Sequence, residues 1–200
     1  MSWVDRLLER TAVYRLWQAP FAEDKFEPVR RHNDIGTARR VLDVGCGPGT
    51  NTARFSHAEY LGIDINPAYV EDARRRHGRQ FLVADATTYT VPADQRYDWI
   101  LLNSFLHHVE TGDVRRILSH LATLLTPDGH IHILDLVLPA GPSPARLLAR
   151  WDRGRFARPL EEWRGLFTES FEPVVFEAYP LKGAGLTLWN MVYFKGKARG

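Results

Sequence analysis

Arg40-Val41-Leu42-Asp43-Val44-Gly45-Cys46-Gly47-Pro48-Gly49-Thr50 decides how the rest of the chain is read. Its first five residues are an apolar run broken by one carboxylate, the pattern of a strand buried in a parallel sheet. The glycines that follow let the backbone turn tightly and approach a ligand that side chains would exclude. A helical stretch is expected from Thr50 to His57, with unpaired N–H groups at its start. Tyr60-Leu61-Gly62-Ile63-Asp64 reads as a second strand, and Asp64 falls nineteen residues after Gly45. An acidic side chain at that strand end accepts hydrogen bonds from both ribose hydroxyls. Loop and acid together point to a ligand that contains adenosine.

The pattern continues outward. Asn66-Pro67 is an N-cap followed by proline at the first helical position. Further strands are expected at 80–84, 97–102 and 130–138, with a helix over 111–125 ended by the turn Thr126-Pro127-Asp128-Gly129. Strands alternating with helices imply a parallel sheet covered on both faces. Two last strands, 173–179 and 187–195, joined through Gly183 and Gly185, read as an antiparallel hairpin at one sheet edge. Helices are expected at 3–18, 21–33, 145–152 and 160–167. The fold class is therefore α/β, a single doubly wound and mostly parallel sheet of seven strands. Residues 1–200 are expected to form one domain. Within it, 1–38 is a helical N-terminal lid, 39–138 the ligand-binding core, 139–170 a helical substrate-side insertion and 171–200 the hairpin.

Composition narrows the classes. The 200 residues include six Trp, seven Tyr and ten Phe, too many aromatics for a disordered chain. The apolar runs are too short and interrupted for a transmembrane helix, and the charged N-terminus has no signal-peptide core. A lone cysteine, Cys46, has no internal disulfide partner, so a reducing compartment, the cytoplasm, is expected. A net charge of +2 is far from the basic excess of a dedicated nucleic-acid binder. Only four of the 26 basic residues are Lys, and an Arg-rich surface is compatible with an anionic acceptor.

Which adenosine ligand is read from the loop. The dinucleotide fingerprint needs a small third residue where this chain has Thr50, which disfavours NAD. A P-loop needs Gly-Lys-Ser/Thr, and no lysine lies between Lys25 and Lys182. What remains is D-x-G-x-G-x-G. Here the chain resembles the class I S-adenosylmethionine-dependent methyltransferases of the small-molecule type. The likeness extends to Val83-Ala84-Asp85-Ala86, to Asn103-Ser104-Phe105-Leu106-His107-His108-Val109 and to Leu124-Leu125-Thr126-Pro127-Asp128-Gly129. It covers about residues 40–138 in motif detail and the final hairpin in outline. It implies a Rossmann-like methyltransferase fold with strand order 3-2-1-4-5-7-6. It also implies S-adenosyl-L-methionine as cofactor, with S-adenosyl-L-homocysteine as product.

By that resemblance the cofactor-binding residues are Asp43, Gly45, Cys46, Gly47, Gly49, Asp64, Ile65, Asp85, Ala86, Asn103 and Ser104. Gly45 to Gly49 would meet the methionine part, Asp64 the ribose and Asp85 the adenine amino group. Asp43 lies inside a strand and is expected chiefly to hold the loop. Cys46 reads as a packing residue. His107 or His108 is a candidate catalytic base, because an unperturbed imidazole titrates near neutrality. The alternative is that the His pair is structural. Asp135, late in the fifth strand, is either a second orienting group or a buried structural carboxylate.

Trp17, Phe21, Phe105 and Trp151 are candidate walls of the acceptor pocket. Arg146, Arg150, Arg153, Arg155, Arg158 and Arg164 either recognise an acidic acceptor or form a solvated face paired with Asp152, Glu161 and Glu162. No metal is expected, because Asn103 and Asp135 alone do not make a metal constellation. The activity expected is methyl transfer to an O, N or C nucleophile of a small molecule, driven by proximity and alignment. An RNA methyltransferase, a dinucleotide oxidoreductase and a non-catalytic cofactor-binding homologue are the alternatives. No membrane partner is expected.

Overall fold

A seven-stranded sheet in the order β3-β2-β1-β4-β5-β7-β6 organises the computed structural model. It describes residues 21–143, 145–146, 156–183 and 185–200. The strands are β1 (Arg40–Val44), β2 (Glu59–Asp64), β3 (Gln80–Val83), β4 (Tyr97–Asn103), β5 (Leu125–Val137), β6 (Phe171–Gly183) and β7 (Leu186–Ala198). β1 pairs in parallel with β2 and β4, β2 with β3, and β4 with β5. β7 runs antiparallel to both β5 and β6. The expected fold class and strand order are therefore present. Strand order reverses between β1 and β4, so a crevice opens at their carboxyl ends.

Alternation along the strands builds two cores. Leu42 and Val44 of β1, with Ile100 and Leu102 of β4, face helices α3 (Thr111–Ala122) and α4 (Leu160–Ser170), where Ile117, Leu118, Trp163 and Phe167 are buried. Val41 of β1 and Trp99 and Leu101 of β4 face the opposite way. There they meet Phe26 and Val29 of α1 (Ala22–His32) and Val70 and Ala73 of α2 (Pro67–His77). Burial on both faces explains why β1 and β4 read as nearly continuous apolar runs. The α2 start is capped as expected, Asn66 accepting from the amide of Ala68.

Three local expectations change. The stretch after the glycine loop is a short 3-10 helix, Thr52–Phe55, and not a full helix over 50–57. Thr126 to Gly129 do not end a helix in a free turn. They bulge within β5, because Tyr97 pairs with Leu125 and Trp99 already pairs with His130. The hairpin strands run longer at both ends than 173–179 and 187–195. The expected helix at 3–18 and most of that at 145–152 lie outside the described residues. No helix among the described residues is long and apolar enough to cross a membrane.

Candidate active site

The glycine loop leaves β1 and folds back onto the end of β2. Gly45 and Cys46 both donate to the carbonyl of Ile63, at 2.9 and 3.1 Å. Gly45 sits at φ +67° and Gly47 at φ +52°, left-handed conformations that side chains other than glycine adopt at a cost. A Cβ on Gly45 would stand 2.6 Å from the Phe105 ring, so this turn also requires a missing side chain. Around a Cβ on Gly47 nothing lies within 4 Å, which leaves that side of the loop open.

Beside the loop is a cleft of about 310 Å3, within the size range of small-molecule sites. Gly45, Asp64, Ile65, Asp85, Ala86 and Phe105 line it. Asp64 is anchored through both oxygens, Oδ2 accepting from Gly47 N–H at 2.9 Å and Oδ1 from Asn66 N–H at 2.8 Å. Asp85 accepts from the amide and hydroxyl of Thr87, which hold its carboxyl below the ordinary value. Ile65 is 71% exposed, an apolar side chain that the fold leaves uncovered at the cleft. Two carboxylates and an open glycine loop at one cleft fit an adenosyl amino acid. The loop is followed only by a 3-10 turn, so a pyrophosphate would find no full helix N-terminus there.

The other expected cofactor residues stand behind this cleft. Asp43 is buried, accepting from Tyr60 Oη at 2.7 Å and from Asn51 Nδ2 at 3.2 Å. Burial pushes its carboxyl up to about 6, with the charge of Asp64 adding to the effect. Cys46 is buried too, and burial raises its thiol far above the ordinary range, so it is no nucleophile. Gly49 packs against His77 and Phe81. Asn103 donates to Asn51 Oδ1 at 3.0 Å, continuing the network from Asp43.

Ser104 lines a second, smaller cavity of about 10 Å3. Its walls are Phe21, Lys25, Ser104, His107, Leu136, Leu181, Trp189 and Met191. Ser104 has φ +57°, the one described residue other than glycine in the left-handed region, and Lys25 Nζ donates to its hydroxyl at 3.0 Å. His107 is 1% exposed, and its Nδ1 lies 2.6 Å from Asp135 Oδ1. Burial works to raise the Asp135 carboxyl. The facing His107 and the amides of Leu106 and Leu136 outweigh it and hold the carboxyl low. Asp135 is therefore ionised and accepts the hydrogen bond from Nδ1 of His107, which turns Nε2 away from it. That Nε2 has no hydrogen-bond partner among the described residues. His108 is exposed, its ring 4.0 Å from that of His107.

Of the expected acceptor walls, Phe21 lines the second cavity, whereas Phe105 lines the first cleft and covers Gly45. Trp17 and Trp151 lie outside the described residues. Arg158 is 3% exposed and donates to the carbonyls of Leu106, Val109 and Phe156, so it clamps the His107 turn from behind. It also pairs with Glu162, and Arg164 pairs with Glu161. Arg150, Arg153 and Arg155 lie outside the described residues, and Arg146 donates to the carbonyls of Pro139 and Ala140. Among the described residues no three His, Cys, Asp or Glu side chains gather as a metal group. Sequence reasoning missed Lys25, and also Thr87, Asp113 and Arg116 at the first cleft. No local pattern marks these positions.

Known proteins resemble this chain in sequence segment and in fold. A family model described as a methyltransferase domain matches residues 41–129. A trans-aconitate 2-methyltransferase of Methylobacterium radiotolerans is 34% identical over 141 residues, covering 62% of this chain and 53% of that protein. The trans-aconitate 2-methyltransferase of Escherichia coli is 29% identical over 163 residues, covering 77% and 60%. The chain thus spans a little over half the length of these curated relatives. Among solved structures, the N-methyltransferase NodS of Bradyrhizobium japonicum in complex with S-adenosyl-L-homocysteine superimposes with a TM-score of 0.69. It is 15% identical, with 90% of this chain and 89% of that chain covered. The matched segment makes residues 41–129 similar to a methyltransferase domain, and the sheet order is the fold shared with that solved structure.

Proposed function

We propose that this chain transfers the methyl group of S-adenosyl-L-methionine to a nucleophile on a small molecule. The observation that carries the reading is the cleft between the glycine loop and Asp64, with Asp85 at the same cleft. When bound, the cofactor supplies a methyl group already activated by its sulfonium. The residues then have to bind, align and exclude water. Asp64 would accept the ribose hydroxyls, Asp85 the adenine amino group, and Ile65 and Ala86 would lie along the base. The open side of Gly47 leaves room for the methionine part. Asp43, Cys46, Gly49 and Asn103 would act by holding the loop.

On the acceptor side, His107 has the stronger claim of the two histidines, because Asp135 orients it and it lines the second cavity. A narrower reading takes an acidic acceptor. It is supported by Lys25 in the cavity wall and by relatives named for trans-aconitate. A free cysteine buried against the sheet fits a reducing compartment, the cytoplasm.

The test is methyl transfer itself. Labelled S-adenosyl-L-methionine is incubated with the protein and a panel of small hydroxy, carboxy and amino compounds, with transfer RNA as a further arm. Acceptor-dependent release of S-adenosyl-L-homocysteine on a small molecule is expected. Cofactor binding without turnover would make the chain a non-catalytic homologue, and label confined to the RNA would overturn the small-molecule reading.

A further inference from the structure

We infer that Lys25 of α1 is a positioning residue for the glycine loop, acting through a chain of hydrogen bonds that runs by Ser104, Asn103 and Asn51 to Asp43, and that this chain sets the affinity for the cofactor. The inference rests on the methyltransferase reading above. It adds a residue that does not line the cleft and on which cofactor binding nonetheless depends.

The chain is continuous. Lys25 Nζ donates to Ser104 Oγ at 3.0 Å. The Ser104 hydroxyl has one proton and directs it to Asn103 Oδ1 at 3.3 Å. Asn103 Nδ2 donates to Asn51 Oδ1 at 3.0 Å, and Asn51 Nδ2 to Asp43 Oδ2 at 3.2 Å. Every donor points the same way, from an ammonium to a carboxylate. Hydrogen bonds aligned in this manner polarise one another, and more strongly away from water. Lys25, Asn51 and Asp43 are buried, and Asn103 and Ser104 are half-buried.

Its two ends show what the chain holds. Gly45, Gly47 and Gly49 all lie between Asp43 and Asn51, so the bond joining those two side chains closes the glycine loop at its base. Asn103 ties that base to the end of β4. At the far end the Lys25 carbonyl accepts from Tyr179 Oη at 2.7 Å, which fixes α1 to β6 at the residue that carries the ammonium.

Ser104 supplies an independent observation. At φ +57° it is the one described residue other than glycine in the left-handed region, a conformation that costs a residue with a side chain. Its place is set by its amide, which donates to the Leu134 carbonyl at 2.8 Å. Glycine would hold the same turn without strain. What serine adds is the hydroxyl that accepts from Lys25 and donates to Asn103.

The chain also makes cofactor affinity depend on pH. Tyr60 and Asp64 of β2 and Cys46 of the loop are the titratable groups around Asp43. Burial keeps Tyr60 and Cys46 neutral, and the charge of Asp64 opposes ionisation of Asp43, which titrates at about 6. Above that pH an anionic Asp43 holds the donors of Tyr60 and Asn51, and protonation weakens the hold. Affinity should fall as pH falls through about 6. The Lys25 cation at the other end favours the anion, so its removal should move that fall to higher pH.

The test is calorimetric titration of the whole chain with S-adenosyl-L-homocysteine across the range from about pH 5 to 8, with urea unfolding alongside. Ser104→Gly should fold at least as stably as the parent and bind about fivefold more weakly at neutral pH. Lys25→Met should weaken binding by a similar factor and shift the pH profile upward. The double variant should bind no more weakly than either single one, because the chain is already broken.

Unchanged affinity in Ser104→Gly would overturn the inference, whether or not Lys25→Met folds. So would a pH profile that Lys25→Met leaves in place. Losses that add in the double variant would overturn it in favour of direct contact between Ser104 and the cofactor. Failure of the methyltransferase reading is distinct: the unsubstituted chain would then give no heat with S-adenosyl-L-homocysteine at any pH, and the inference would fall with it.

Discussion

The amide of Gly47 donates to Asp64 Oδ2 at 2.9 Å, so the carboxylate at the end of β2 holds the glycine loop in the position where the two meet at one cleft. Loop shape and ligand recognition therefore share one side chain. Asp64→Ala should lower S-adenosyl-L-homocysteine affinity by about 10- to 100-fold, roughly 1.4–2.8 kcal/mol. Asp64→Asn keeps one acceptor oxygen and should lose less. Calorimetric titration of correctly folded variants checks both, and unchanged affinity in Asp64→Ala would mean the ligand lies elsewhere.

Gly45 and Gly47 share a backbone conformation and differ in their surroundings. Alanine at Gly47 meets open space and should cost only the left-handed backbone penalty, about 1–2 kcal/mol. Alanine at Gly45 adds a collision with the Phe105 ring, a further 1–3 kcal/mol or so by the usual cost of overpacking. Urea unfolding should rank Gly45→Ala as the less stable variant. The reverse ranking would contradict the packing described for Phe105.

Arg158 supports the turn that carries His107. Its guanidinium serves three carbonyls, those of Leu106, Val109 and Phe156, with almost no solvent access. Arg158→Met should strand those acceptors and destabilise the fold by about 3 kcal/mol. Thermal unfolding would register that as a fall in Tm of roughly 6–12 °C for a chain of this size. A shift within error would show the clamp to be dispensable.

Asp43 makes stability depend on pH. Burial raises its folded-state carboxyl from 3.8 to about 6. Between those values the folded protein keeps a proton that the unfolded chain has released, so stability falls as pH rises through the window. The full effect is about 3 kcal/mol. Asp43→Asn removes the titration, and the difference between its stability-against-pH curve and the parent's should slope only between about pH 4 and 6. Parallel curves would mean that Asp43 stays ionised.

Much of this was legible along the chain because adjacent residues carried it. The apolar runs of β1 and β4, the glycines after Val44 and Asp64 at the next strand end are each local patterns with one cheap structural solution. The helix expected over 50–57 shrank to Thr52–Phe55, an ending that the residue pattern there did not announce. Thr126–Gly129 has turn chemistry, yet β4 pairing on both sides absorbs it as a bulge. The acceptor side was less legible because its partners are distant. Asp135 meets His107 only because β4 and β5 are neighbours, and Lys25 reaches Ser104 across 79 residues of sequence. Arg158 looked like one of a surface row of arginines until the fold enclosed it.

The central claim is that the cleft at Gly45, Asp64 and Asp85 holds the adenosyl cofactor. Calorimetric titration with S-adenosyl-L-homocysteine, with NAD as the control, tests it most directly. Binding with a Kd in the micromolar range, about −8 kcal/mol, and no heat from NAD is the predicted result. No binding of S-adenosyl-L-homocysteine, or preferential binding of NAD, would contradict it.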